Sequence, residues 1–470
     1  MDDTTSYPLR TRLVEKLADS LGAPLPVATA RRVYGAVSLP GKATAVIGMR
    51  RSGKTTFLHQ LRGECLARGV GRERLPYINF EDEQLAGLEA AQLHVLLEEY
   101  YRRYPELRRM QTVTWCLDEI QVVPGWERFV RRVLDEEAVE LFLSGSSAAL
   151  LSRELATALR GRAWAVTLFP FSFEEVLRHQ GRGPFANPGF LTASERSGLE
   201  SAFLGYLTCG GFPEVQGLEA ATRHRLLRDY VDVAMLRDVV ERHGVSNVAG
   251  LRWLVRHLLG NAAGLFSVEK FYAALKSQGL SISKDTVHQL LVYLEDCFLV
   301  RTVWMEATSE RQRLVNPRKA YPADQGLIPV FDRTGRANLG HALETAVFVE
   351  LERRGMDVTY VRTPSGYEVD FLARLPTGET ELIQVCTDPT GDAAAGRELR
   401  ALEEAGRSYP NAVRRLLTLT RDALPLDAPP GGRCPTRLRV ALGNPRDRQP
   451  GTVTPLPDVL CRSVPPGARV

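Results

Sequence analysis

The run Gly48-Met49-Arg50-Arg51-Ser52-Gly53-Lys54-Thr55 carries the spacing G-x-x-x-x-G-K-[ST], a pattern suited to holding phosphate. Glycines at 48 and 53 let successive backbone N–H groups turn inward around phosphate oxygens. Lys54 brings a compact charge to the β- and γ-phosphates, and the Thr55 hydroxyl is of the kind that ligands Mg2+. Arg51, Ser52 and Thr56 belong to the same phosphate-holding stretch. The expected ligands are therefore ATP and Mg2+. Asp118-Glu119 supplies the other half of the chemistry. An aspartate there can hold Mg2+, directly or through water, and the adjoining glutamate can orient or deprotonate the attacking water. Ser144, in Ser144-Gly145-Ser146-Ser147, is expected to sense the γ-phosphate. Phosphoryl transfer also needs a cation at the transition state. Arg160 and Arg162 are the candidates, acting in trans.

These residues need strands and helices to position them. Ala43 to Ile47 is an apolar run that ends at a glycine, the mark of a buried strand feeding a loop, and a helix begins after Thr56. Further strands are expected over Leu75–Phe80, Val113–Leu117 and Val139–Leu143. They end at Glu81-Asp82-Glu83, Asp118-Glu119 and Ser144 respectively. A helical lead-in with Leu13, Leu17 and Leu21 precedes them. Alternating strands and helices predict a parallel α/β sheet with helices on both faces. Ligands bind such sheets beyond the carboxyl ends of the strands, where these polar clusters fall.

From about Phe203 to Arg301 the pattern is mainly helical, broken once by Gly210-Gly211-Phe212-Pro213. One helix starts at Phe266-Ser267-Val268, and Ser283 is the expected N-cap of another. The extended segment Phe298–Trp304 follows. Helix, turn, helix and hairpin outline a winged helix. Lys276, Lys284, His288, Arg311, Arg313, Arg318 and Lys319 could track phosphates there, as could Arg397, Arg400, Arg407, Arg414 and Arg415 further on. The same charges could equally be solvated faces of a protein-binding module. From about Gly340 a small α/β unit is expected: a helix over Leu343–Arg354, strands at Val358–Val361, Glu368–Leu372 and Glu381–Val385, a helix over Arg397–Ala405 and a strand at Leu416–Leu419. Glu344 sits on its first helix and Asp370 in its second strand. The tail from Leu424 is rich in Pro, Gly and Arg and reads as loose, except near Val453–Leu460.

Composition bounds the rest. A chain of 470 residues implies two or three domains, and 44% hydrophobic with 25% charged residues fits a globular protein. No run of about 18 apolar residues indicates a membrane span. Met1-Asp2-Asp3 has no apolar signal core, and seven scattered cysteines make no CxxC pair, so a cytoplasmic location is expected. A net charge of +4 permits a local basic patch and no more. Lysine occurs at only seven positions, 16, 42, 54, 270, 276, 284 and 319, so almost all positive charge is arginine.

Taken together, several segments resemble one family. They are Gly48–Thr56, Tyr77–Asp82, Leu117–Gln121 with Trp126, Ser144–Ser147, Leu159–Arg162, Phe169–Phe173 and Gly210–Glu214. This series is similar to the bacterial and archaeal AAA-type, archaeal ATPase-like P-loop ATPases. The resemblance covers nearly the whole chain. It implies an AAA-type ATPase core with a parallel sheet, a helical and winged-helix middle domain, and a small α/β, restriction-endonuclease-like (PD-(D/E)xK-like) C-terminal domain. Boundaries are expected at 1–205, 206–335 and 336–470. In the nuclease pattern, Glu344 and Asp370 would hold metal, with Asp370 and Gln384 in catalytic positions. Gln384 stands where the pattern has an acid and Cys386 where it has lysine; no lysine follows Lys319. The expected function is an ATPase acting on DNA, branched DNA and Holliday junctions included, as a homo-oligomer, in the form of a ring, with no membrane partner. The alternative is a nucleotide-gated signalling or scaffold ATPase with protein partners and an inactive nuclease-like domain.

Overall fold

A computed structural model describes residues 6–145, 159, 161–183, 191–332, 338–387, 392–419 and 461–463. Arg160, Ser146, Ser147 and the segment Val453–Leu460, all singled out above, lie outside the described residues. The chain divides into two compact units, Met1–Leu168 with Asp296–Phe298, and Phe169–Glu295 with Leu299–Val470. No helix among the described residues is long and apolar enough to cross a membrane.

In the first unit the elements run α1 (Ser6–Gly22), β1 (Ala43–Ile47), α2 (Lys54–Ala67), β2 (Tyr77–Asn79), α3 (Leu93–Arg103), β3 (Val113–Asp118), α4 (Trp126–Glu136), β4 (Val139–Gly145) and β5 (Ala163–Thr167). The strands form one parallel sheet in the order β2-β3-β4-β1-β5. Every residue of β1 and β3 is buried, which explains why both read as continuous apolar runs rather than alternating ones. Helix α2 packs Phe57, Leu58 and Leu61 with Val46, Cys116 and Phe142 of the sheet. Leu13, Leu17 and Leu21 of α1 are buried, as their spacing predicts.

The second unit continues with α5 (Phe173–His179), α6 (Ala193–Cys209), α7 (Ala220–Val233), α8 (Val248–Gly260), β6 (Leu265–Phe266), α9 (Val268–Ser277), α10 (Lys284–Asp296), β7 (Val300–Val303), α11 (Glu310–Val315), β8 (Arg318–Pro322), α12 (Ile328–Phe331), α13 (Leu339–Arg353), β9 (Asp357–Arg362), β10 (Glu368–Arg374), β11 (Thr380–Cys386), α14 (Asp392–Ser408), β12 (Val413–Thr418) and β13 (Cys461–Ser463). Side-chain caps start many of these helices. Ser172 and Glu175 form a reciprocal box at α5, and Ser283 Oγ accepts from Thr286 N–H at 3.0 Å ahead of α10. Strands β6, β8 and β7 pair antiparallel beside α9 and α10. A mixed five-stranded sheet, β13-β12-β11-β10-β9, lies in the C-terminal part. One core joins the two sheets. Val303 and Tyr321 of the small sheet pack with Phe348 of α13 and with Phe371 and Ile383 of the large one.

The glycine break at 210–211 has a structural cause. Gly210 has φ +78°, and a Cβ there would meet Asp324 Oδ1 at 1.8 Å. A Cβ on Gly211 would meet the Phe171 carbonyl oxygen at 2.1 Å. The two carboxylate oxygens of the buried Asp324 accept from Gly211 N–H (2.7 Å) and Gly326 N–H (2.9 Å). Phe171 N–H donates to the Gly211 carbonyl at 2.6 Å.

Candidate functional site

The phosphate-type loop leaves the carboxyl end of β1 and enters α2, so the unpaired N–H groups of a 14-residue helix open onto it. The glycines are required. Gly48 has φ +149° and a Cβ would strike the Leu168 carbonyl oxygen at 2.2 Å, while Gly53 caps α2 in the left-handed region at φ 96°. Arg51 is also left-handed, at φ 65°. The buried Lys54 ammonium donates to the Gly48 and Met49 carbonyls at 3.1 and 3.2 Å, and so lies over the loop itself. Ser52 is fully buried, and its Oγ has no hydrogen-bond partner among the described residues. A tight cradle, a buried cation and an unpaired hydroxyl fit a bound phosphate chain. Thr55 and Thr56 occupy the first turn of α2.

The acidic pair sits at the end of β3, two strands along. Asp118 is 1% exposed; its Oδ2 accepts from Tyr77 O–H at 2.8 Å, and its Oδ1 accepts from Ser144 O–H. Ser144 Oγ in turn accepts from Glu119 N–H at 3.0 Å. Glu119 is left-handed at φ 52°, an uncommon conformation for this residue type that recurs where catalytic groups are aimed. Burial raises its pKa, opposed by the Lys54 charge and by a hydrogen bond from Gln121. Ser144 was expected to sense phosphate. Its hydroxyl links the two acids, donating to Asp118 and accepting from the Glu119 N–H. Asp118 and Thr55 are the residues that would hold Mg2+, which when bound supplies charge neutralisation between the β- and γ-phosphates. Glu119 is then the group able to take a proton from an attacking water.

Two supports of this site were not singled out from the sequence. The buried Arg31 donates to the Ser52 carbonyl at 2.7 Å and braces the loop from outside, and Tyr77 holds Asp118. Arg162 lies at the opposite end of the sheet. It immediately precedes β5, and the Ala43 N–H at the start of β1 donates to its carbonyl at 2.9 Å. Five strand residues, about 16 Å, separate that edge from the loop. Its side chain pairs with Asp135. Arg162 therefore cannot serve the loop of its own chain.

In the C-terminal part, Glu344 of α13 and Asp370 of β10 do converge, but around a lysine. Lys319 Nζ lies 2.9 Å from Glu344 Oε1, 2.8 Å from Glu368 Oε1 and 2.8 Å from Asp370 Oδ1. Burial alone would lower its pKa, but the three carboxylates outweigh burial and hold it raised. Burial and the neighbouring Asp370 raise Glu344 to about 7 against Lys319 and Tyr321. Gln384 does not point its amide oxygen into this cluster. Oε1 accepts from Asp370 N–H (3.2 Å), and Nε2 donates to Glu398 (2.7 Å). Lys319 is 3% exposed and thus withdrawn from the phosphate-tracking set, and Arg415 is held by both oxygens of Glu381.

A family model described as an AAA domain matches residues 40–177, the span that holds the loop, the acidic pair and Ser144. A domain of unknown function (DUF8612) matches residues 200–336. The uncharacterized protein MJ1544 of Methanocaldococcus jannaschii is 33% identical over 373 residues, covering 78% of this chain and 79% of its own. An uncharacterized protein of Haemophilus influenzae is 29% identical over 330 residues, covering 70% and 78%. Among solved structures, the Walker-type ATPase PABY2304 of Pyrococcus abyssi is similar over 68% of this chain and 95% of its own, at 15% identity and a TM-score of 0.36. With its glycine loop, Lys54 and the Asp118–Glu119 pair all inside the AAA span, the chain is a P-loop AAA-type ATPase and belongs to the family of the Methanocaldococcus jannaschii protein MJ1544.

Proposed function

We propose that this ATPase acts on DNA, gripping the phosphate backbone with its second unit while ATP turns over in the first. The observation that carries this is a cavity of about 970 Å³ bounded by α7, α8 and α9. Arg228, Arg252, Arg256 and Lys270 line it against two acids, Asp232 and Asp332. Trp253, 39% exposed, stands on the same wall. A basic concavity with an exposed indole suits a phosphate backbone whose bases can stack. The helices α9 and α10 with the antiparallel strands β6, β8 and β7 match the outline of a winged helix, which supports the same reading. In this reading residues 1–205 are the motor, 206–335 the winged-helix arm and 336–470 a nuclease-like part that grips rather than cuts. The position of Arg162 supports a homo-oligomer, a ring included, in which it or Arg160 completes a neighbour's site.

Binding of duplex, single-stranded and branched DNA across a salt series tests this. Affinity is expected to fall steeply with salt, and the double variant Arg252→Glu/Arg256→Glu to weaken binding and flatten the slope by about two. Binding that ignores both salt and the variant would instead favour a nucleotide-gated scaffold whose partners are proteins.

A further inference from the structure

The nuclease-like pattern leads one to expect a divalent cation between Glu344 and Asp370, and the residues present do not fit one. Lys319 arrives from β8, in the small sheet, and its ammonium lies 2.8–2.9 Å from Glu344, Glu368 and Asp370. Glu344 and Asp370 accept two of its three N–H groups, and Glu368 meets the same charge as an ion pair. The acids are held by further donors as well. Tyr321 O–H donates to Glu344 Oε1 at 2.8 Å, and Val385 N–H to Asp370 Oδ2 at 2.9 Å. These are hydrogen-bond and ion-pair distances around a nitrogen. A magnesium ion demands oxygens at 2.0–2.1 Å in octahedral array, and calcium six to eight of them. The neutral ligand that could have joined, the Gln384 amide oxygen, faces the Asp370 N–H instead. Among the described residues no group of three or more acids, histidines or cysteines is arranged to hold a metal.

We infer that Lys319 is the resident cation of this carboxylate cluster: a built-in ammonium takes the part of the divalent metal and closes the site to it. The consequence is chemical. With two N–H groups held by Glu344 and Asp370 and its charge met by three carboxylates, Lys319 is committed to the cluster and fills the place a metal would need. The C-terminal part is then a nuclease-like frame held together by an internal charge, independent of metal supply.

The test is a Mn2+ titration of the full-length, nucleotide-free protein, with free ion read by electron paramagnetic resonance. Wild type, Glu368→Gln and Asp370→Asn should bind the same number of ions per chain. Lys319→Met keeps the side-chain length and removes the charge. It should gain one further Mn2+, and the gain should vanish in Lys319→Met/Asp370→Asn. Its melting temperature should be lower than that of wild type and should recover with Mn2+ in the single variant only. Loss of an ion in Asp370→Asn or Glu368→Gln alone would show a metal bound beside Lys319 and overturn the inference. So would a folded Lys319→Met that gains no ion. Should Lys319→Met fail to fold, the comparison of wild type with the two acid variants decides alone, because equal counts sustain the inference and a lost ion refutes it.

Discussion

Glu119 is the residue on which turnover depends in this account. It lies in the left-handed region beside a buried aspartate, its N–H is held by Ser144, and its pKa is raised mainly by burial. A base with a raised pKa is protonated, and idle, over a wider acidic range. ATP turnover should therefore fall as pH drops, along a limb centred above the ordinary glutamate value of about 4.3. Glu119→Gln should retain ATP binding, lower kcat by about 10²–10⁴-fold and erase that limb, as read from pH–rate profiles beside nucleotide-binding assays. Unchanged kcat would remove Glu119 from the chemistry. The loop and the acidic pair were legible in the sequence because phosphate binding fixes residue types at short, invariant spacing. Arg31, Tyr77 and Lys319 were not, because each meets its partner only through tertiary folding. Lys319 reaches Glu344 and Asp370 across 25 and 51 residues, and no spacing rule announces such a meeting. Counting lysines after position 319 therefore missed the one that serves the cluster.

At the scale of elements, Asp324 ties the glycine turn after α6 to the segment ahead of α12. Burial pushes its pKa up to about 6 against two backbone N–H donors. The folded protein therefore holds this proton more tightly than the unfolded chain. Stability should decline as pH rises from the ordinary value near 4 through about 6, and that part of the slope should be absent in Asp324→Asn. Asparagine has one acceptor oxygen for two N–H groups, so at neutral pH the variant should balance relief of a buried charge against a buried N–H left unpaired, a loss of roughly 1–3 kcal/mol. Urea melts over pH 4–7 measure both effects, and an unchanged slope would refute the account of Asp324. Most strands appeared in the sequence as apolar runs, but their ends did not. The segment Leu75–Phe80 pairs as strand only over Tyr77–Asn79: residues 72–74 form a helical turn, and Pro76 lacks an N–H. Phe298 is left-handed at φ 62°, which delays β7 to Val300. β8 went unread because Pro317 precedes it and Pro322 is its last residue, and β6 because two residues carry no period.

For the whole molecule, the alternation of strands and helices announced a parallel sheet, but the order β2-β3-β4-β1-β5 depends on pairings between distant segments. That order puts the loop of β1 beside Ser144 of β4 and two strands along from Asp118 of β3, while Arg162 enters β5 at the amino end of the sheet, away from the loop. The cationic cavity was likewise hidden, since Arg228, Arg252 and Lys270 come from three separate helices. On the function proposed above, these features belong to a motor whose ATP turnover answers to nucleic acid. The most direct test is steady-state ATP hydrolysis by the full-length protein in Mg2+, alone and with single-stranded, duplex and branched DNA. The account predicts stimulation by DNA that fades as salt rises and is lost in Arg252→Glu/Arg256→Glu, with basal turnover intact. Turnover that proceeds at one rate with every nucleic acid and with none would contradict it.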